Sequence, residues 1–179
     1  MRQGKFIQIC VVVEDLERAI RRHSEFFGAG PWFLTKWWEP ADDPSIHRGV
    51  RRPLGTQTAL AYGGDMMFEL VAPQPGSQSV FTEWVERRGY GVHHYGFGVE
   101  DFDGTLDSLH AAESEIIFSS KTPRGTRIAM IEGDAELGAL KEFIEITPAT
   151  KNFYAFMRQQ AACWDGETLI HAGPVAVLD

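Results

Sequence analysis

Apolar and polar positions along the chain repeat one pattern twice. The segment QICVVVEDL from Gln8 to Leu16 aligns with HYGFGVEDF from His94 to Phe102 at an offset of 86 residues, with Val-Glu-Asp in register. After each Glu-Asp a helical stripe follows: Leu16, Ala19, Ile20, His23, Phe26 and Phe27 in the first copy, and Phe102, Leu106 and Leu109 in the second. This i, i+3, i+4 spacing marks one buried helix face. Asp15, and Asp101 or Asp103, are suited to cap those helices, because a short carboxylate accepts the unpaired amide hydrogens of the first turn. Further on, Thr58–Tyr62 and Met66–Val71 flank the turn residues Gly63-Gly-Asp65 and stop at Pro73, which predicts a hairpin. The second copy offers Arg127–Ile131, a loop containing Gly-Asp, and Leu140–Ile146 before Pro148. Each unit therefore reads strand, helix, then strands ending in an apolar stretch that carries an acid. Glu69 and Glu145 lie 76 residues apart, so the first unit holds about ten extra residues, assigned to a loop between Pro31 and Pro53. Val80–Arg88 reads as a short helix joining the units, and 151–163 as an amphipathic helix built on Phe153, Phe156, Met157 and Ala161, followed by a tail.

Composition narrows the function classes. A net charge of -8 and a pI near 5.2 leave no basic stripe for phosphates, RGVRR at 48–52 being too short, so nucleic acid is not an expected partner. No run of about 18 apolar residues predicts a membrane span, and MRQGKF lacks the apolar core of a secretory signal. A cytoplasmic location is expected, with Cys10 and Cys163 as two reduced thiols.

Strand alternation assigns faces. His94 shares one with Gly96 and Gly98, while His93 shares the other with Tyr95 and Phe97, so only one histidine of the pair is expected to point into a cavity. His94 aligns with Gln8. Glu69 shares a face with Met67 and Val71, and Glu145 with Phe143. Burying a carboxylate among such residues is costly. Doing so in both repeats implies a compensating cation. His93 reads as structural or as support for His94, and His23 as a packing residue. His47, His110 and His171 read as loop, helix surface and tail.

Gln8, Glu69, His94 and Glu145, set in this repeat, resemble the metal-binding positions of the vicinal oxygen chelate superfamily, which includes glyoxalase I, methylmalonyl-CoA epimerase, bleomycin-resistance proteins and extradiol dioxygenases. The resemblance spans roughly residues 5–148. Phe27-Gly-Ala-Gly-Pro-Trp-Phe33 and Ala161-Ala-Cys-Trp-Asp-Gly166 look like an epimerase-like branch. It implies an α+β fold in one domain, with two tandem βαβββ units (about 5–75 and 91–148) whose curved mixed sheets surround a central cavity, plus a C-terminal helix and tail at 151–179. It also implies a divalent metal held by Gln8, Glu69, His94 and Glu145. Two carboxylates, an imidazole and an amide oxygen suit Zn, Ni, Co, Mn or Mg.

A carbonyl on such a metal acidifies its neighbouring C–H, and the resemblance makes Glu145 the base, with Glu69 a second proton carrier. The expected function is that of a metal-dependent isomerase or epimerase acting on a small apolar or aromatic carbonyl compound, with Trp32, Trp37, Trp38, Met67, Phe97 and Phe143 as candidate pocket residues. The aromatic loop Pro31–Trp38 fits a pocket lining and a dimer contact equally, and a homodimer is expected. The order Gln, Glu, His, Glu also matches animal glyoxalase I, a lactoylglutathione lyase. Val12, Pro73 and Tyr90, however, stand where that enzyme has the polar residues that hold glutathione. A single histidine among four ligands argues against an extradiol dioxygenase. A drug-sequestering binder without metal is the non-enzyme alternative.

Overall fold

A computed structural model describes residues 4–36, 45–122 and 124–172. The repeat appears in it as two βαβββ units. The first comprises β1 (Lys5–Val12), α1 (Leu16–Phe27), β2 (Phe33–Lys36), β5 (Thr56–Gly63) and β6 (Met66–Pro73), interrupted by the short strands β3 (Ile46–His47) and β4 (Val50–Arg51). α2 (Val80–Arg88) leads to the second unit: β7 (Gly91–Val99), α3 (Phe102–Ala111), β8 (Ile116–Lys121), β9 (Arg127–Ile131) and β10 (Leu140–Glu145). Last comes α4 (Pro148–Ala162). Local chemistry sets several boundaries. Asp15 accepts the Arg18 amide at 2.9 Å and Asp101 the Gly104 amide at 2.9 Å, so both predicted caps close their helices. A two-residue turn at Gly64-Asp65, with Gly64 at φ 59°, joins β5 to β6. Thr147 caps α4 and Pro148 occupies its first turn, so this proline starts the helix as well as ending β10.

The ten strands of the described residues join one curled sheet in the order β2-β5-β6-β1-β7-β10-β9-β8-β3-β4. The units meet where β1 runs antiparallel to β7, and in each unit the first strand pairs in parallel with the last, β1 with β6 and β7 with β10. The extra residues of the first unit are more than a loop. Their β3–β4 hairpin crosses to the second unit and extends the sheet beyond β8, pairing Ile46 with Ser119 and His47 with Phe118. Arg48 in its turn bonds Glu83 of α2 at 2.8 Å and Glu132 at 2.9 Å, which holds it there.

The sheet's outer face is covered by α1, which packs with Ile20 and Trp32 against Ala59, Ala61 and Phe68, and by α3, which packs with Phe102 and Leu109 against Ala129 and Phe143. Across the concave side lies α4, whose Phe153 and Met157 meet Phe33, Tyr62 and Met67. Cys10 is buried, Cys163 is exposed, and both are free thiols. Among the described residues no helix is long and apolar enough to cross a membrane.

Candidate functional site

The junction of the two units gathers four polar side chains on the concave face. Gln8 comes from β1, Glu69 from β6, His94 from β7 and Glu142 from β10; each is at most 9% exposed. The Gln8 amide nitrogen donates to Glu69 Oε2 at 2.7 Å and lies 3.4 Å from His94 Nε2 and 3.5 Å from Glu142 Oε2. His94 Nε2 is 3.3 Å from Glu69 Oε2 and 3.1 Å from Glu142 Oε2. Gly96 makes this convergence possible. It pairs with Gln8 on one side and Glu142 on the other, and a Cβ there would sit 2.8 Å from the Gln8 Cβ and 3.1 Å from Ile144 Cδ1.

Three of the four residues expected from sequence, Gln8, Glu69 and His94, come together. The fourth position is held by Glu142, and Glu145 is not part of the group. Strand alternation is the reason: residues three apart on β10 face opposite sides. Glu145 lies on the α3 side, where Arg127 donates to it at 2.7 and 3.0 Å and also bonds Asp103. That guanidinium holds the Glu145 pKa below the ordinary carboxylate value. Register confirms the repeat equivalence of Glu142. Cys10 pairs with Glu69, and Gly96, 86 residues after Cys10, pairs with Glu142. Equivalent acids are therefore 73 residues apart, not 76, and the first unit carries 13 extra residues. A readable signal was present, since Glu69-Leu-Val and Glu142-Phe-Ile are each an acid before two apolar residues, whereas Glu145 precedes Ile-Thr.

The pocket expectations fare unevenly. Met67 lies near the concave side, packed against α4. Trp32 is buried beneath α1 and donates its indole N–H to Ser24 at 2.9 Å, so it packs in the core and away from the four polar side chains. Phe143 and Phe97 belong to the layer under α3, on the opposite face from Glu142. Trp37 and Trp38 fall outside the described residues. What sequence reasoning missed is Tyr154 of α4 and Arg124 before β9, which line the same small cavity, about 60 Å³, as Gln8, Glu69 and Glu142. Tyr154 also borders a larger outer groove of about 730 Å³ along Gly98, Ile146 and Lys151, which places it between the two spaces.

His93 has a specific part. β7 is irregular there, since Cys10 pairs with His94 and Val11 with Val92, which leaves His93 as an extra, bulged residue. A bulge re-aims side chains, so both imidazoles reach inward and their Nδ1 atoms lie 2.8 Å apart. His93 Nε2 lies 3.4 Å from the Val80 carbonyl oxygen, and Phe81 and Trp84 of α2 pack against the ring. A carbonyl can only accept, so His93 carries its proton on Nε2 and offers Nδ1 as an acceptor to His94 Nδ1–H. Burial, which pushes the His93 pKa well down, keeps that ring neutral. His94 Nε2 then points a lone pair at two carboxylates unless a cation lies between them. In the absence of metal that cation is a proton: burial opposes it, but the Glu142 carboxylate beside the ring helps to hold the His94 pKa well above the ordinary value. Burial likewise raises the pKa of Glu142.

The donor set fits a divalent metal. One oxygen each from Glu69 and Glu142 and one nitrogen from His94 already lie within 4.8 Å of one another, and rotating the terminal amide would present the Gln8 oxygen. Cys10, His93 and His94 form a second close group. Its two Nδ1 atoms are committed to each other, and burial raises the Cys10 thiol pKa far above ordinary, which disfavours the thiolate a metal needs.

Comparison with known proteins gives the same family. The model of the Glyoxalase/Bleomycin resistance protein/Dioxygenase superfamily matches residues 7–130. The chain belongs to this superfamily. Among solved structures similar to this superfamily member is the methylmalonyl-CoA epimerase of Mycobacterium tuberculosis, at 21% identity and TM-score 0.60, with 83% of this chain and 91% of that one covered. A Streptomyces coelicolor methylmalonyl-CoA epimerase in complex with 2-nitronate-propionyl-CoA aligns at 18% identity and TM-score 0.59, over 79% of this chain and 96% of that one. A hypothetical protein from Bacillus halodurans C-125 aligns at 19% identity and TM-score 0.60, over 80% and 94%. At these identities the likeness is one of fold. No curated protein matches the chain.

Proposed function

We propose that this protein is an isomerase of the epimerase type that holds a divalent metal through Gln8, Glu69, His94 and Glu142 and moves a proton on a carbon beside the carbonyl of a small substrate. The observation that carries the proposal is the contact of two buried carboxylates with one imidazole nitrogen, an arrangement that a divalent cation bound between them would stabilise. When bound, the metal would polarise a substrate carbonyl and make the adjacent C–H more acidic. The chain's own groups do the rest. His93 and Val80 fix the His94 tautomer that exposes Nε2. Glu69 and Glu142 flank the centre from two different strands, so one carboxylate can take a proton from one face while the other returns it to the opposite face. Burial raises the Glu142 pKa toward the range of a general acid–base group, which makes it the first candidate. Tyr154 and the apolar residues Leu60, Ile128 and Ile144 limit water at the site.

The epimerases of similar fold support this reaction type. Lactoylglutathione lyase activity is the weaker reading, because Val12 is fully buried in the core and Pro73 ends β6, so neither offers a polar contact to glutathione. Elemental analysis after reconstitution, paired with solvent deuterium incorporation into 2-substituted carbonyl compounds, tests the proposal. The expected result is about one metal per chain, with exchange abolished in Glu142→Gln or Glu69→Gln. Protein that takes up no metal would overturn it.

A further inference from the structure

Among the described residues the small cavity has one arginine in its wall. Arg124, in the turn between β8 and β9, lines it beside Tyr154, and its guanidinium lies 3.7 Å from the ring centroid of Phe153 in α4. Three other arginines near the sheet are committed to carboxylates: Arg48 to Glu83 and Glu132, Arg127 to Asp103 and Glu145, and Arg158 to Asp65. Among the described residues Arg124 has no such partner; burial lowers its pKa, and Tyr154 is the group that acts against this. Stacking on Phe153 satisfies one face of the guanidinium but none of its in-plane N–H donors. A half-buried cation with idle donors in a ligand cavity is suited to an anion that arrives with the ligand.

We infer that Arg124 is a specificity residue that binds a carboxylate of the substrate, placed away from the carbonyl that the four-residue centre acts on. This rests on the proposed function and names its substrate class, a small acid. The guanidinium edge pairs with carboxylate and phosphate alike, and charge decides for the carboxylate. It adds one negative charge, not two, to a space of about 60 Å³ that already holds Glu69 and Glu142.

The test titrates zinc-loaded protein calorimetrically with succinate and with succinamate, its monoamide, which has one carboxylate fewer. Elemental analysis accompanies each sample. Wild type is expected to prefer succinate about tenfold or more, from one charge-assisted contact. In Arg124→Gln that preference falls to within about twofold, and Arg124→Lys retains part of it, since the charge survives without the fork. A residue that only anchors α4 would weaken both ligands equally and leave their ratio unchanged; that outcome, with zinc retained, overturns the inference. Failure to take up zinc counts against the four-residue centre instead. The ratio of succinamate to succinamide, which carries no carboxylate, on metal-free protein then still decides the role of Arg124: a ratio that is the same in wild type and Arg124→Gln overturns it.

Discussion

Replacing Glu142 with Gln should raise stability when the protein is metal-free and remove the stabilisation that metal brings. Without metal, Glu69, Glu142 and a protonated His94 leave one unbalanced negative charge in a site where Glu142 is 4% exposed and His94 is fully buried. An unbalanced buried ion costs several kcal/mol even after relaxation, so removing it stabilises the metal-free protein by about 1–3 kcal/mol. For a chain of this length each kcal/mol moves Tm by about 2–4 °C, giving a rise of about 2–12 °C. With metal at a hundred times its Kd, wild type gains about 2.7 kcal/mol, or about 5–11 °C, and Glu142→Gln gains little of it. Glu145→Gln provides the contrast. It breaks Arg127 contacts of 2.7 and 3.0 Å, lowers Tm slightly, and keeps the full metal shift. The assay is a thermal melt of all three proteins with chelator and with metal. Loss of the metal shift in Glu145→Gln but not in Glu142→Gln would refute the assignment by strand face, and a drop in metal-free Tm for Glu142→Gln would refute the charge balance.

Three further outcomes follow from the same geometry. Gly96→Ala places a Cβ 2.8 Å from that of Gln8 and should cost about 1–3 kcal/mol while weakening metal binding at least tenfold, read by competition with a chromophoric chelator. Phe143→Ala empties a fully buried position beneath α3; it should cost about 3–5 kcal/mol in denaturant unfolding and leave the metal stoichiometry unchanged, because that face does not carry the site. The pH dependence of stability should lose part of its acid limb in Arg127→Gln. Arg127 lowers the folded-state pKa of Glu145 below 4.5 and of Asp103 below 3.8, so wild type keeps the stabilisation above those values and loses it as the pH falls through the lower folded ones. Denaturant midpoints followed from neutral pH down past 4.5 should therefore fall less steeply in the variant.

Much of the architecture was legible because its signals are local. A carboxylate ahead of a helical stripe caps it wherever the chain then goes, and Gly64-Asp65 turns a hairpin by backbone conformation alone. The β3–β4 hairpin was not legible, since two-residue strands have no periodicity and their partner β8 lies in the other unit. The fourth site residue fell between two acids three positions apart, both among apolar neighbours. Alternation separates Glu142 from Glu145 with certainty, but only after the register with β7 is known, and that register depends on how many residues the first unit has gained. Tyr154 belongs to a helix outside the repeat and Arg124 to a turn between β8 and β9 that the aligned segments skip, so internal symmetry gave no reason to look at them.

The irregularities themselves obey the repeat. Between β1 and β7, Ile7 is skipped in the pairing that joins Phe6 to Phe97 and Gln8 to Gly96, and His93 is skipped between the pairs of His94 and Val92. Residues 7 and 93 are 86 apart, so each unit bulges immediately before its own contribution to the centre, Gln8 in one and His94 in the other. The shared bulge turns the Gln8 and His94 side chains inward, while the two bulged residues have diverged. Ile7 packs against the apolar core, and His93 binds His94 and the Val80 carbonyl. An amide has no tautomer to set and works beside an isoleucine, whereas an imidazole presents the needed lone pair only when its other nitrogen has an acceptor. In the proposed metal centre the second histidine of the pair would therefore allow the second unit to supply nitrogen where the first would supply oxygen. His93→Phe should accordingly weaken metal binding about 10–100-fold with Gln8, Glu69, His94 and Glu142 all intact, and unchanged affinity in that variant would show that the two rings touch without any effect on the tautomer.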